Sequence, residues 1–258
     1  MKVVIFCGGL GTRLREETEF RPKPMVPIGE RPILWHIMKT YAHYGHKDFI
    51  LCLGYKGEVI KEYFRNYHWN TSDVTLRLGR QPHIQYHNTH DEADWRVTLV
   101  DTGQATMTGG RLKRALKFIK DDHFLVTYGD GLTDSDINRS IAFHRAQKKI
   151  VTITAVRPVA RFGDLEITGN AVIDFKEKAE QQAGFINGGF FVMHRRMGDY
   201  LTDDECVLEQ EPLRKLAAAG QIAAYIHSGF WQCMDTYREQ QLLTSLWQTG
   251  HAPWKVWG

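Results

Sequence analysis

The stretch MKVVIFCGGLGTRL, residues 1–14, joins an apolar run to three closely spaced glycines. The apolar run predicts a buried strand, and Gly8, Gly9 and Gly11 predict a tight turn directly after it. Such a turn lets backbone N–H groups approach a phosphate without interference from a Cβ atom. The stretch therefore predicts an α/β protein whose first strand ends at a phosphate site.

The basic residues that follow the glycines include Arg13 and Lys23. They could balance the charge of a polyphosphate, arginine through its forked geometry and lysine as a point charge, although a glycine turn with solvated basic residues is the simpler alternative. The turn is not a P-loop, because no Gly-Lys-Ser/Thr stands at the required spacing. It also lacks the third glycine of the dinucleotide fingerprint, which disfavours a dinucleotide oxidoreductase.

Strand-like runs alternate with amphipathic stretches along the first part of the chain. The predicted strands are 2–7, 48–53, 73–78, 95–102, 124–128 and 150–157, and the predicted helices are 32–44, 58–67, 110–119 and 135–147. This alternation predicts a Rossmann-like, mostly parallel mixed sheet flanked by helices, with ligands bound beyond the carboxyl ends of its strands. Pro32, Gly45 and Asp134 are candidate residues for helix starts and stops.

The pattern changes after residue 157. Shorter strand-like pieces follow at 165–168, 172–175, 189–194 and 223–227, with helices near 209–219 and 237–249 before a Trp-rich tail. No Pro/Ser-rich linker interrupts the chain. We expect one domain over 1–258, with a small β-rich insertion in its second half.

Composition excludes several classes of function. The chain has 258 residues with 33 Lys+Arg and 30 Asp+Glu, and a net charge of +3 is too weak to indicate nucleic acid or an anionic membrane as partner. No apolar run is long enough to span a bilayer or to form a signal peptide.

The four cysteines lack CxxC spacing, which indicates reduced thiols and predicts a cytoplasmic protein. His83, His87, His90 and Asp91 have spacing that could bind zinc, but twelve histidines make chance clusters expected.

Two aspartates are candidates for a metal site. Asp130, in YGDG (128–131), ends an apolar strand, and the glycines beside it suit close approach of a ligand. Asp235 follows another short apolar run. The alternatives are a turn residue for Asp130 and a helix N-cap for Asp235, which stands just before a predicted helix.

The glycine turn GGLGTRL (8–14), together with PKPM (22–25), is similar to the signature of the nucleotide-sugar pyrophosphorylases. The similarity continues through stretches such as GYKG (54–57), NGGFFV (187–192) and GFWQ (229–232). It implies a nucleotidyltransferase fold and Mg²⁺-dependent transfer of a nucleotidyl group to a sugar 1-phosphate. Within the family the chain most resembles members that use CTP and glucose 1-phosphate. UTP, dTTP or another hexose 1-phosphate remain open, as does a non-catalytic regulatory protein with this fold.

The resemblance also implies the residues of the site. The implied nucleotide-binding residues are Phe6, Cys7, Gly8, Gly9, Leu10, Gly11, Thr12, Arg13, Lys23, Thr106, Arg111 and Gly129. Arg13 and Lys23 would be the catalytic residues that spread developing negative charge, and Asp130 and Asp235 would hold one Mg²⁺. The implied sugar-phosphate residues are Glu177, Lys178, Asn187, Gly188 and Trp231. Alternatives are a surface position for Arg111, a solvated charge run at 176–178, a turn at 187–189 and core packing for Trp231.

Further expectations follow from the resemblance. Residues 1–157 would form the nucleotide-binding half, and residues 158–258 the sugar-phosphate half with the C-terminal helix. The chain departs from the family at Ala179, where a proline is usual, and at Cys7, where alanine is common. The family implies a homo-oligomer, a hexamer, and a role in nucleotide-sugar biosynthesis for lipopolysaccharide O-antigen.

Overall fold

The computed structural model of the chain describes residues 1–9, 11–79, 83–88, 90–158, 164–168, 170–176 and 184–258. Its strands are β1 Lys2–Cys7, β2 Pro27–Ile28, β3 Arg31–Pro32, β4 Asp48–Leu53, β5 Val74–Arg77, β6 His83–Tyr86, β7 Arg96–Asp101, β8 His123–Tyr128, β9 Gly131–Thr133, β10 Val151–Val156, β11 Asp164–Thr168, β12 Ala171–Lys176, β13 Ile186–His194, β14 Ile222–Ile226 and β15 Trp231–Cys233. Its helices are α1 Arg15–Thr18, α2 Ile33–His43, α3 Gly57–Arg65, α4 Tyr67–Thr71, α5 Thr108–Ala115, α6 Ile137–Gln147, α7 Glu211–Ala218 and α8 Tyr237–Gln248.

Seven strands form the central sheet in the order β14-β10-β13-β8-β1-β4-β7. β1 lies parallel to both β4 and β8, β4 is parallel to β7, and β10 is parallel to β14. Only β13 runs antiparallel to its neighbours β8 and β10. This confirms the predicted mostly parallel mixed sheet.

Helices cover both faces of the sheet, and β1 shows why its sequence is a continuous apolar run. Val3 and Ile5 point into a core shared with α2, α3, α6 and α8. Val4 and Phe6 point to the opposite face, into a core shared with α5 and α7. A strand buried on both sides needs apolar residues at every position, whereas a strand with one solvated face alternates.

The segment 73–78 was expected to join the main sheet and does not. Val74–Arg77 pairs antiparallel with His83–Tyr86 in a separate hairpin. Most of its side chains are exposed, so the run lacks the two-sided apolar character of a central strand. Conversely, β13 and β14 belong to the central sheet, and in the second half only the β11–β12 hairpin and the short β15 lie outside it.

Several helix boundaries differ from the prediction, among them the starts of α5 and α6. Helix α6 begins at Ile137 with Asp136 as its N-cap, whose side chain accepts from the backbone N–H of Arg139. Asp134, the expected cap, instead has Oδ1 at 2.8 Å from Nε2 of His227. Helix α5 begins at Thr108, two residues before the predicted start.

The Trp-rich tail packs into the core. Trp254 is fully buried, and its ring stacks at 6.5 Å between centroids on Trp247. Its indole N–H donates to Nδ1 of His36 at 3.4 Å, while Nε2 of His36 lies 3.0 Å from the carbonyl oxygen of Ile28. The tail therefore closes one face of the sheet. In the part of the chain that the structure describes, no helix has both the length and the apolar character to cross a membrane.

Candidate active site

A cavity of about 520 Å³ opens where β1 and β8 end, at the edge of the sheet where ligands were expected. Its volume suits a nucleotide-sized ligand. Residues predicted for the site that line it are Phe6, Gly8, Gly9, Gly11, Thr12, Lys23, Thr106, Arg111, Gly129, Asp130 and Asp235. Residues not predicted that also line it are Pro24, Gln104, Ala105, Met107, Thr108, Tyr128, Val207 and Glu209.

Several predicted residues lie elsewhere or cannot be placed. Cys7 is fully buried in the core, and burial raises the pKa of its thiol well above the usual value. Leu10, Glu177, Lys178 and Ala179 lie outside the described residues, as does the side chain of Arg13.

Gly8, Gly9 and Gly11 differ in how the surrounding structure accounts for the lack of a side chain. A Cβ atom on Gly8 would collide with the guanidinium of Arg111, whereas one on Gly9 would meet no described atom within 4 Å. Gly11 has φ +62°, in the left-handed region that favours glycine. Thus Gly9 faces open space in the cavity, while Gly8 is required by the packing beneath it.

Arg111 connects the ends of three neighbouring strands. Its guanidinium donates to the carbonyl oxygens of Gly8 at 3.1 Å and Leu53 at 2.9 Å, and to Oγ1 of Thr102 at 2.7 Å. It also donates to the carbonyl oxygens of Gly103 at 2.8 Å and Gln104 at 3.2 Å. The side chain is not at the surface, because Arg111 is only 5% exposed. Its bonds hold the loop 102–104 against the glycine turn.

Lys23 lies between the two candidate metal-binding aspartates. Its Nζ is 2.6 Å from Oδ2 of Asp130 and 2.6 Å from Oδ1 of Asp235. Burial acts to lower the pKa of Lys23, but the charges and hydrogen bonds of the two carboxylates outweigh it and raise the pKa. The ammonium therefore stays charged and balances the pair.

Strand pairing brings these aspartates together although they are far apart in sequence. β9, directly after Asp130, pairs antiparallel with β15, and the backbone N–H of Met234 donates to the carbonyl oxygen of Asp130 at 2.8 Å. Asp235 is not the N-cap of α8: Thr236 is the cap, in a capping box with Glu239. The Asp235 side chain turns to Lys23 instead.

The neighbouring carboxylates of Asp130 and Asp235 fit a hard divalent cation whose remaining ligands come from substrate phosphates and water. Among the described residues, no group of three or more His, Cys, Asp or Glu side chains is arranged to hold a metal. Asp130 and Asp235 suit a site that substrate phosphates complete. His83 and His87 are exposed on the β5–β6 hairpin.

Three of the predicted sugar-phosphate residues lie near one another. The indole N–H of Trp231 donates to the carbonyl oxygen of Gly188 at 2.7 Å. Oδ1 of Asn187 accepts from the backbone N–H of Gly189 at 2.9 Å, and Gly189 has φ +80°. Among the described residues these side chains do not line the 520 Å³ cavity.

One pair in the cavity was missed by sequence reasoning. The hydroxyl of Tyr128 donates to Oε1 of Glu209, and Oγ1 of Thr108 donates to Oε2 of Glu209 at 2.7 Å. Tyr128 stands just before the Gly-Asp pair at a strand end, which is a usable signal. Glu209 has no such signal, because its partners are 81 and 101 residues away.

Comparisons with known proteins fit this geometry. Residues 2–236 match the family model described as nucleotidyl transferase. The chain is 53% identical over 258 residues to the glucose-1-phosphate cytidylyltransferase of Salmonella typhimurium, with both chains fully covered. It is 43% identical over 260 residues to a probable glucose-1-phosphate cytidylyltransferase of Bacillus subtilis, again with full coverage of both. The solved structure of HddC from Yersinia pseudotuberculosis matches with a TM-score of 0.70 at 24% identity, covering 95% of this chain and 99% of that one, which supports the fold alone.

Proposed function

The chain belongs to the nucleotidyl transferase family, and on that premise we propose that it transfers the cytidylyl group of CTP to α-D-glucose 1-phosphate, giving CDP-glucose and pyrophosphate. The observation that carries this proposal is the 53% identity over the full length of a glucose-1-phosphate cytidylyltransferase. The cavity supports it, because a glycine turn, a lysine and two aspartates meet at the carboxyl edge of the sheet.

The reaction needs no protein nucleophile. A phosphate oxygen of glucose 1-phosphate forms a bond to the α-phosphorus of CTP, and the bond from that phosphorus to the pyrophosphate oxygen breaks. Backbone N–H groups of the glycine turn bind the phosphates, while Lys23 and Arg13 offset the negative charge that develops. Positioning and charge stabilisation then supply most of the rate enhancement.

Asp130 and Asp235 are the residues that would hold a divalent cation, and we infer Mg²⁺ from their all-oxygen donors. When bound, the cation neutralises phosphate charge and orients the two substrates. Lys23 keeps a positive charge beside this cation site, because its ammonium donates hydrogen bonds to both carboxylates.

The remaining assignments stay proposals. We assign the sugar phosphate to Glu177, Lys178, Asn187, Gly188 and Trp231, and the nucleotide to residues 1–157. A homo-oligomer, specifically a hexamer, a cytoplasmic location and a role in O-antigen precursor synthesis are proposed by analogy with the family.

The test is pyrophosphate release by the purified protein with glucose 1-phosphate and Mg²⁺, comparing CTP, UTP, dTTP, ATP and GTP. We expect release with CTP that EDTA abolishes and that falls at least about 100-fold in Asp130→Asn and Asp235→Asn. Preference for UTP or dTTP would keep the chemistry and refute the choice of base. No release with any nucleotide across a panel of hexose 1-phosphates would favour the non-catalytic alternative.

A further inference from the structure

Glu209 holds a carboxylate in the cavity between two hydroxyl groups. Oε1 accepts from Tyr128 and Oε2 accepts from Thr108. Thr108 opens helix α5, and Tyr128 ends strand β8, so the carboxylate is fixed by two separate elements of the fold. Its position is therefore defined before any ligand binds.

The directions of both hydrogen bonds follow from their surroundings. The backbone N–H of Leu208 donates to Oγ1 of Thr108 at 2.9 Å, so the threonine hydroxyl proton is available for Glu209. The Glu209 carboxylate has no proton to give, so the hydrogen bond between it and the phenol of Tyr128 has the phenol as its donor. Both neighbours thus act as donors to the carboxylate.

These two hydrogen bonds do not use all of the accepting capacity of the Glu209 carboxylate. Each of its oxygens has two lone pairs, and each accepts one of the hydrogen bonds described. In the ranges that the structure describes, no Lys, Arg or His forms an ion pair with Glu209. A carboxylate in a cavity, held in place and with accepting capacity left, fits a ligand group that donates.

The cavity indicates which substrate supplies that donor. Glu209 shares it with the glycine turn and with Gln104, Thr106 and Thr108, whereas Asn187 and Trp231 are not among its described lining residues. Phosphate groups carry negative charge and would be repelled. The nucleoside of CTP has uncharged donors, namely the 4-amino group of cytosine and the ribose hydroxyls. Uracil and thymine present an oxygen acceptor where cytosine presents the amino group.

We propose that Glu209 is a specificity-determining residue that accepts a hydrogen bond from a donor of the CTP nucleoside, the cytosine amino group or a ribose hydroxyl. The inference rests on the proposed function. A site that accepts a hydrogen bond from such a group discriminates against analogues that lack it, because they cannot make that hydrogen bond with Glu209.

The experiment measures kcat/KM with CTP, UTP, 2′-deoxy-CTP and 3′-deoxy-CTP for the wild type and for Glu209→Gln. We expect the substitution to lower kcat/KM for CTP by about 10- to 100-fold, as for loss of a hydrogen bond to a charged group. If Glu209 contacts the amino group, only the CTP to UTP preference collapses. If it contacts a ribose hydroxyl, only the preference over the matching deoxy-CTP collapses.

Glu211→Gln is the matched control. Glu211 lies two residues from Glu209, at the start of helix α7, is largely exposed and pairs with Lys215 at 2.6 Å. The Glu211→Gln variant should therefore prefer CTP over the other nucleotides as strongly as the wild type does. Preferences that stay within about twofold in Glu209→Gln overturn the proposal, and so does a change only in the preference over 2-deoxyglucose 1-phosphate.

Should Glu209→Gln fail to fold, the wild type alone can still overturn the proposal. A wild type that uses UTP, 2′-deoxy-CTP and 3′-deoxy-CTP as well as CTP overturns the proposal without any variant. No pyrophosphate release with CTP would reject the proposed function together with this inference, whereas release with unchanged preferences rejects the inference alone.

Discussion

The guanidinium of Arg111 donates to the carbonyl oxygen of Gly8 at 3.1 Å and fills the space that a side chain at residue 8 would need. It fills the corresponding space at Gly54 as well, where a Cβ would lie 2.6 Å from Nη1. Two glycines are therefore explained by one arginine. The glycine turn is shaped from beneath by protein packing as well as from above by the cavity.

Gly8→Ala should destabilise the protein, whereas Gly9→Ala should leave its stability almost unchanged. The Cβ at residue 8 meets the Arg111 guanidinium, which is held by five hydrogen bonds, so we expect a loss of about 1–3 kcal/mol in the free energy of unfolding. The Cβ at residue 9 meets no described atom within 4 Å, so that change should stay within about 0.5 kcal/mol. Urea unfolding measures both. Equal stability of the two variants would contradict this view of the turn.

Arg111→Lys should destabilise the protein although it keeps the charge. An ammonium has three protons and cannot replace the five hydrogen bonds of the guanidinium, so we expect a loss of about 1–3 kcal/mol in the free energy of unfolding. Thermal and urea unfolding measure the loss.

The control for this substitution is Arg114→Lys on the same helix. Arg114 is partly exposed and pairs with Asp204, so its replacement should change stability by less than about 1 kcal/mol. If both variants lose the same free energy of unfolding, the hydrogen bonds of Arg111 do not connect the loop 102–104 to the glycine turn as we infer.

Lys23→Met should make stability depend more strongly on Mg²⁺. Without the ammonium, the carboxylates of Asp130 and Asp235 lose a positive charge that contacts both of them, and a divalent cation can replace it. We expect the variant to unfold at a lower temperature than the wild type without Mg²⁺, and to gain more from Mg²⁺, by about 1 kcal/mol or more.

Lys2→Met is the control for Lys23, because Lys2 pairs with the single carboxylate of Asp48 at 2.9 Å, away from the cavity. Its Tm should respond to Mg²⁺ as that of the wild type does. An Mg²⁺ response of Lys23→Met no larger than that of the control would refute the view that Lys23 and the cation balance the same two carboxylates.

His36 should make the protein less stable in mild acid. Its Nδ1 accepts from the indole N–H of Trp254, which can only donate, so the folded state holds the neutral ring. Burial lowers the pKa of His36 to about 4 from 6.5. Between those values the unfolded chain binds a proton that the folded chain does not, so the free energy of unfolding falls as pH decreases, by at most about 3 kcal/mol from this residue.

The measurement is urea unfolding between about pH 7.5 and pH 5 for the wild type and His36→Gln, a range that covers most of the titration. Because His46 and His144 also have pKa values lowered to about 4, both proteins should lose stability in acid. The slope should be shallower in the variant. Identical slopes, or an NMR titration of His36 near its usual pKa, would show that the ring is not held neutral.

The local pattern of the sequence was sufficient for the strands that form the centre of the sheet. Lys2–Cys7 and Asp48–Leu53 lie where they were predicted, because a strand buried on both faces needs an unbroken apolar run that can be recognised without its partners. The same pattern misplaced 73–78. Its residues have strand propensity, but which strand they pair with depends on burial that the segment itself does not encode.

The chemistry of the site could be predicted only in part. The glycine turn and the Gly-Asp pair at 129–130 are local features, and their position after apolar strands indicated a phosphate and metal site. Asp235 looked equally like a helix cap, and its role was given by resemblance. In the structure Thr236 is the cap of α8, and Asp235 accepts a hydrogen bond from Lys23.

By itself the sequence determined most of the longer strands and helices, the order in which they alternate and the glycine turn, because hydrophobic periodicity and turn chemistry act over a few residues. Tertiary structure alone decided that Lys23 meets an aspartate 212 residues away, that Arg111 binds a glycine 103 residues away and that Tyr128 holds Glu209 across 81 residues. No local pattern relates such distant positions. They meet because β9 pairs with β15 and because the neighbouring parallel strands end at one edge of the sheet, where backbone acceptors and charged side chains must be paired.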